Sequence, residues 1–291
     1  MFTALIITIW VTGNTVASQA PHSLLLTVNN FREICEAELR MTIRIKAINP
    51  NTTLEMTENI GRQVRRYTSD DVEVEAVSPE RGPISIESYY DDFLAVPGVL
   101  EEIIDDEAEF DAFINACWGD PGIDACREVT EKPVVGIAEA SMYVANMLGA
   151  KFSVATILPR ARDFIEDRVR TTGLWGQCAS VRCTDLTVVE TEETRDAATE
   201  ALYDAAQRAV KEDGAEAICL GCAGMGGLDE PLEDRLPVPV IDSVAAAGVI
   251  TEGMVRLDKA TSKVMTYKQP ESKELKGFPE KFHFGAESRE N

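Results

Sequence analysis

Apolar and polar positions along this chain follow a rhythm that plays twice. Ile43–Ile48 is a short apolar run, and Asn49-Pro50-Asn51-Thr52 breaks it. Such a run bounded by turn residues reads as a buried strand. Proline near a first turn, with Thr52 or Thr53 at the cap, reads as the start of a helix reaching about Tyr67. Val72–Val77 alternates apolar with acidic residues, the pattern of a half-exposed strand. Ser78–Ser88, with Pro79, Gly82 and Pro83, is the longest loop-like stretch of the first half and a candidate lid bordering a cleft. Helical patterning follows to about Ala108, broken at Pro97-Gly98. A strand over Ala112–Ala116, Cys117, a turn, and a helix from Gly122 to Thr130 come next. Strand Val134–Ile137 and a helix from Glu139 to Gly149 complete the first pass.

At Lys151 the order restarts. Phe152–Leu158 is apolar, Pro159 repeats the position of Pro50, and a helix runs to about Arg170 with its arginines expected on a solvated face. Thr172–Arg182 reads as irregular, Thr184–Val189 as a strand, and Glu192–Glu212 as a long helix. Ala217–Leu220 is a strand ending near Cys222, Pro237–Ile241 matches Pro133–Ile137, and Ser243–Leu257 matches the helix after Glu139. Two motifs repeating at nearly one offset imply duplicated β-α-β-α halves with right-handed crossovers. The expected fold class is therefore α/β, two pseudo-symmetric Rossmann-like lobes with parallel sheets and a site in the cleft between them. Residues 42–137 plus 243–267 are assigned to one lobe and 138–242 to the other, with 1–41 an extension outside the fold and 268–291 a frayed polar tail.

Composition narrows the partners. Net charge is −22, with 50 acidic against 28 basic residues. No basic face for phosphates can be drawn, so nucleic acid is not an expected partner. Before Arg32 the chain carries no charged side chain, and Ala4–Val11 is apolar. That run is too short to span a bilayer, so no membrane association is expected. A secretory signal over residues 1–20 is the alternative to an extension, but its basic n-region is missing. Seven cysteines, an odd number in a long chain, do not form a disulfide framework, which fits a cytoplasmic protein. The two histidines lie near the ends, away from every periodic segment.

The chemistry sits where the repeats end. Cys117 and Cys222 each close an apolar strand and open a small-residue turn, Cys117-Trp118-Gly119-Asp120 and Cys222-Ala223-Gly224-Met225. Ligands in open α/β folds bind at that carboxyl edge. Two thiols facing each other across a cleft can take a proton from one face of a carbon acid and return one to the other. Backbone amides beside glycine can favour thiolate and hold the oxyanion of an enolate. Asp120 reads equally as a helix cap before Pro121, and Glu139 and Ser141 equally as helix-start residues. Cys219 and Cys222 also spell C-x-x-C, which Cys178 and Cys183 would complete as a zinc set. Cys219 lies inside an apolar strand, however, so no metal is assigned. Cys35, Cys126, Cys178, Cys183 and Cys219 are read as structural thiols.

The stretches AINPNTT, ACWGDPG around Cys117, GIAEAS and LGCAGM around Cys222 together resemble the hydantoin and allantoin racemase branch of the aspartate/glutamate racemase superfamily. The resemblance covers about Ile43–Leu257. It implies cofactor-independent racemisation of a small-molecule substrate, with Cys117 and Cys222 as the two acid/base groups. It further implies that Asn49 orients a thiol or the ligand, and that Gly119, Asp120, Ala223 and Gly224 line the substrate ring. Glutamate racemases follow the second cysteine with Thr-His. Ala223-Gly224 here favours a neutral cyclic imide or ureide. Other readings on the scaffold are an aspartate- or glutamate-type racemase, a maleate isomerase or arylmalonate decarboxylase, and outside catalysis a metabolite-binding protein. Homo-oligomerisation stays open.

Overall fold

The structure, a computed structural model, describes residues 42–184 and 195–284. Two four-stranded, all-parallel sheets share one topology. The first contains β1 (Ile43–Ile48), β2 (Val72–Val77), β3 (Ala112–Asn115) and β4 (Val134–Gly136) in the order β2-β1-β3-β4. The second contains β5 (Phe152–Thr156), β6 (Cys178–Cys183), β7 (Ala217–Leu220) and β8 (Val240–Ile241) in the order β6-β5-β7-β8. Register carries the duplication to single residues. Asn115 pairs with Ile48 and Leu220 with Ala155, and each cysteine lies two residues beyond its paired position.

Helices α1 (Leu54–Tyr67), α2 (Tyr89–Asp106), α3 (Ile123–Val129) and α4 (Ile137–Leu148) belong to the first half. Helices α5 (Arg162–Thr171), α6 (Arg195–Asp213), α7 (Asp229–Glu233) and α8 (Ser243–Arg256) belong to the second. The last helix of each half crosses over. α4 packs on β5, β7 and β8, whereas α8 packs on β1, β3, β4 and α1, and α4 and α8 touch each other. A continuous core results, with Ile45, Ile114, Met142, Phe152, Val154, Cys219, Val244 and Ala247 in one cluster. Burying side chains of this size stabilises by about 1.5–3 kcal/mol each, so the two sheets are held together by one shared core.

Four stretches differ from the sequence reading. The second-half edge strand is Cys178–Cys183, where irregular chain was expected, and the expected strand Thr184–Val189 falls, Thr184 apart, outside the described residues. An edge strand covered on one side keeps polar residues, as the half-buried CASVRC does, and Arg182 turns outward to Asp213. α2 runs unbroken through Pro97, which withholds one N–H next to exposed Phe93. Beside it, Gly98 allows the Pro79–Arg81 loop to lie against the helix, because a Cβ there would stand 2.7 Å from Pro79. The polar tail packs rather than frays as far as 284: Phe282 is buried and Lys281 pairs with Asp105 of α2. Lastly, Arg168 of α5 turns inward. The expected extension over residues 1–41 lies, with Cys35, outside the described residues. Among those described, no helix is long and apolar enough to cross a membrane.

Candidate active site between the lobes

The carboxyl ends of the central strands converge on one cleft of about 670 Å3 of empty space, its open mouth included, a size suited to small molecules. From the first half come Asn51, Met56, Ser85, Ile86, Ala116, Cys117, Trp118 and Gly119. The second half supplies Thr156, Ile157, Leu158, Ala161, Phe164, Ile165, Gly221, Cys222 and Ala223. Both strand-end cysteines therefore open onto one cavity. No side chain of Lys, Arg, Asp or Glu lines it among the described residues.

The Cys117 turn is built tightly. Asp120 N–H donates to the Cys117 carbonyl at 2.9 Å, and Asp120 takes a left-handed φ of 46°, which Asp tolerates better than bulkier residues. Gly119 has no room for a side chain: a Cβ would stand 2.2 Å from the Phe164 ring and 2.6 Å from Asp92 Oδ1. Burial pushes the Cys117 thiol well above its ordinary range, against the Gly119 N–H that donates to it. Asp92, Cys222 and Asp120 push it further the same way. The sequence expectation of a turn favouring thiolate is thus opposed at Cys117, where burial favours the protonated form. The Cys222 turn is looser. A Cβ on Gly224 would meet only Met56 Cε at 3.4 Å and Cys222 Sγ at 3.6 Å.

Asn49, Asp120 and Gly224 stand outside the cavity lining, whereas Gly119 and Ala223 are in it. Asn49 is fully buried, and its amide donates to Asn51 Oδ1, the Thr53 carbonyl and Thr57 Oγ1. It shapes the turn, and Asn51, two residues on, is the asparagine that reaches the cavity. Asn51 Nδ2 lies 3.2 Å from Met56 Sδ, a weak acceptor that a ligand carbonyl would improve on. The Asn49-Pro50-Asn51 turn was the available signal, since turn residues beyond a strand point outward more readily than the one closing it.

Asp120 caps a helix, but not the one after Pro121. Its carboxylate accepts Ala138 N–H and Glu139 N–H, both at 3.1 Å, at the start of α4. Gly136 makes room, since a Cβ there would collide with that carboxylate at 2.2 Å. Arg168 of α5 donates Nε to Asp120 Oδ2 at 3.2 Å and approaches Glu139 at 3.9 Å, while Glu139 also pairs with Arg127. Burial raises the Asp120 carboxyl, with Arg168 and the two N–H donors opposing. Ser141 keeps its hydroxyl on the Ala138 carbonyl, and the Cys219 thiol donates to the Ser141 carbonyl, so Cys219 serves the core.

One buried chain ties the two cysteine turns together. Trp118 Nε1 donates to Ser243 Oγ at 3.0 Å, and Ser243 Oγ donates to the Leu220 carbonyl at 2.6 Å. Ser243→Ala strands a buried N–H and a buried carbonyl, so urea denaturation is expected to show a loss of about 2 kcal/mol. A loss under about 0.5 kcal/mol would mean that these two hydrogen bonds do not hold the turns together.

The chain has known relatives. A hydantoin racemase of Pseudomonas sp. (strain NS671) is 52% identical over 241 residues, spanning 82% of this chain and 97% of that protein. A hydantoin racemase of Paenarthrobacter aurescens is 42% identical over 234 residues, 80% of this chain and 99% of that one. Among solved structures, allantoin racemase from Klebsiella pneumoniae superposes with a TM-score of 0.79 at 41% identity, covering 83% of this chain and 99% of that one. The family profile described as Asp/Glu/hydantoin racemase matches residues 45–249. With twin parallel sheets, a thiol at each strand end and that match from the first strand into the last long helix, the chain belongs to the Asp/Glu/hydantoin racemase family.

Proposed function

We propose that this protein is an isomerase that racemises 5-substituted hydantoins, Cys117 and Cys222 exchanging protons with opposite faces of C5. The observation that carries this reading is a cavity holding both thiols and, among the described residues, no charged side chain. A ring C–H beside a carbonyl is acidic enough for thiolate if the enolate is stabilised where it forms. One sulfur, as thiolate, accepts the C5 proton, and the electron pair moves into the carbonyl. The resulting planar enolate is achiral. The other sulfur, as thiol, then delivers its proton to the opposite face, leaving inverted product and the thiol and thiolate exchanged. The Asn51 amide is placed to donate to a ring carbonyl. Thiols with this task, kept reduced, suit a reducing cytoplasm.

Charge decides between substrate classes. Aspartate, glutamate, maleate and arylmalonates are anions, and a buried carboxylate without a cation or several donors is costly. A neutral ring suits the cavity better. Within that class, Met56, Ile86, Ile157, Leu158 and Phe164 present apolar surface to the ring substituent. The ureido group of allantoin would leave donors unpaired against that surface, at about 1.4–2.7 kcal/mol, or roughly 10- to 100-fold in kcat/KM. Polarimetry over 5-benzylhydantoin, 5-isobutylhydantoin and allantoin is expected to rank allantoin last by at least about tenfold. Allantoin ranking first would overturn the apolar-substituent assignment. Activity on none of them, or on glutamate alone, would overturn the reading itself.

A further inference from the structure

Two sulfurs donated by twin lobes are equivalent by descent, yet each half-reaction needs one as thiol and one as thiolate. Something must decide which sulfur keeps the proton. Asp92 sits in the first turn of α2, behind the Cys117 turn. Its Oδ1 is shielded from solvent and has no hydrogen-bond partner among the described residues. That oxygen lies 2.6 Å from where a Gly119 Cβ would be, so the carboxyl abuts the backbone whose N–H donates to Cys117. Arg168 faces Asp92 from α5. Asp120 on the same turn and Cys222 across the cleft are the other groups acting on Cys117. Burial pushes the Asp92 carboxyl up to about 6, with Arg168 opposing, so it is ionised at pH 7–8.

We propose that Asp92 is a positioning residue that breaks the symmetry of the thiol pair: lodged behind Gly119, its carboxylate holds Cys117 as the resting thiol and leaves Cys222 to carry the thiolate. This assignment rests on the two-cysteine reading above. A carboxylate close to a thiol disfavours the thiolate, and two thiols sharing one proton place it on the sulfur nearer the negative charge. The enantiomer whose C5–H faces Cys222 then meets the resting enzyme ready to react. Its mirror image requires the proton to move to Cys222 first.

The test needs no substrate. The full chain is alkylated with iodoacetamide between pH 5 and 9, and modification of each cysteine is followed by peptide mass mapping. Asp92→Asn is expected to raise Cys117 alkylation at pH 8 roughly tenfold, the effect of one pKa unit, with Cys222 unchanged or slower. Asp92→Glu, which restores the charge, is expected to react as the parent does. An unchanged Cys117 profile in Asp92→Asn, or an equal rise at both cysteines as from a loosened cavity, would overturn the proposal. Should Asp92→Asn not fold, the unaltered protein decides. As pH falls through about 6, neutralising Asp92 lowers the Cys117 pKa, so the logarithm of its alkylation rate must fall by less than one per pH unit. It must do so in Asp120→Asn too, where the other carboxyl acting on Cys117 is gone. A straight unit slope would overturn the proposal equally. Racemisation surviving in Cys117→Ala would instead sink the two-cysteine reading, so the two failures are told apart.

Discussion

Cys117→Ala and Cys222→Ala are each expected to lower racemisation of a 5-substituted hydantoin by about 10^4-fold, the upper range for a single acid/base group. Melting should hardly change. Each thiol is half-buried at a cavity wall, so truncation removes one atom from a partly open surface rather than from the core. The more telling measurement is solvent exchange. In D2O each single variant keeps one sulfur and should still exchange the C5 proton of the enantiomer that presents it to that sulfur, without inversion. The two variants should exchange opposite enantiomers. Proton NMR on resolved substrate, together with optical rotation, reads both quantities. If a single variant exchanges both enantiomers at the parent rate, the proton is moved by some other group and the two-cysteine mechanism falls.

What could be read from the sequence, and what could not, divides along physical lines. The cysteine turns and the duplicated β-α-β-α halves were legible because short apolar runs ending in small residues leave a local mark, and that mark was written twice. Residues whose partners lie far along the chain left none. Arg168 looked like one more surface arginine on a charged helix, and its meeting with Asp120, 48 residues away, exists only once α5 crosses the cleft. Asp92 likewise stands in an ordinary acidic first turn until Gly119 brings the Cys117 turn against it. Asn49 and Asn51 were distinguishable in principle only by direction. Both are buried, but Asn49 spends its amide within the turn while Asn51 lines the cavity. β6 escaped because an edge strand needs little hydrophobicity, and Cys, Ala and Ser promise little of it. The crossing of α4 and α8 between sheets was implied by matching their starts, since each follows the last strand of its half.

Arg168→Met is expected to destabilise the fold by about 3 kcal/mol at pH 8, because it leaves Asp120 buried with its charge unmatched. In a chain of this size that corresponds to a fall in Tm of roughly 6–12 °C. Methionine keeps most of the side-chain volume, so loss of the ion pair dominates over loss of packing. The pH dependence carries the diagnosis. Burial raises the Asp120 carboxyl in the folded state while Arg168 opposes it, and removing Arg168 lets it rise further. A group with a folded pKa above its unfolded one binds extra protons on folding, so it costs stability as pH rises through that window. The Tm difference between parent and variant should therefore be largest near pH 8 and shrink towards pH 5.5, where Asp120 takes up a proton instead. Activity should fall as well, since Asp120 holds the start of α4 to the Cys117 turn and Arg168 holds α5, with its cavity residues Phe164 and Ile165, against both. A Tm difference that is small or flat with pH would mean that the two N–H donors of α4 alone suffice to keep Asp120 charged, and that the lobes are joined by packing rather than by this ion pair.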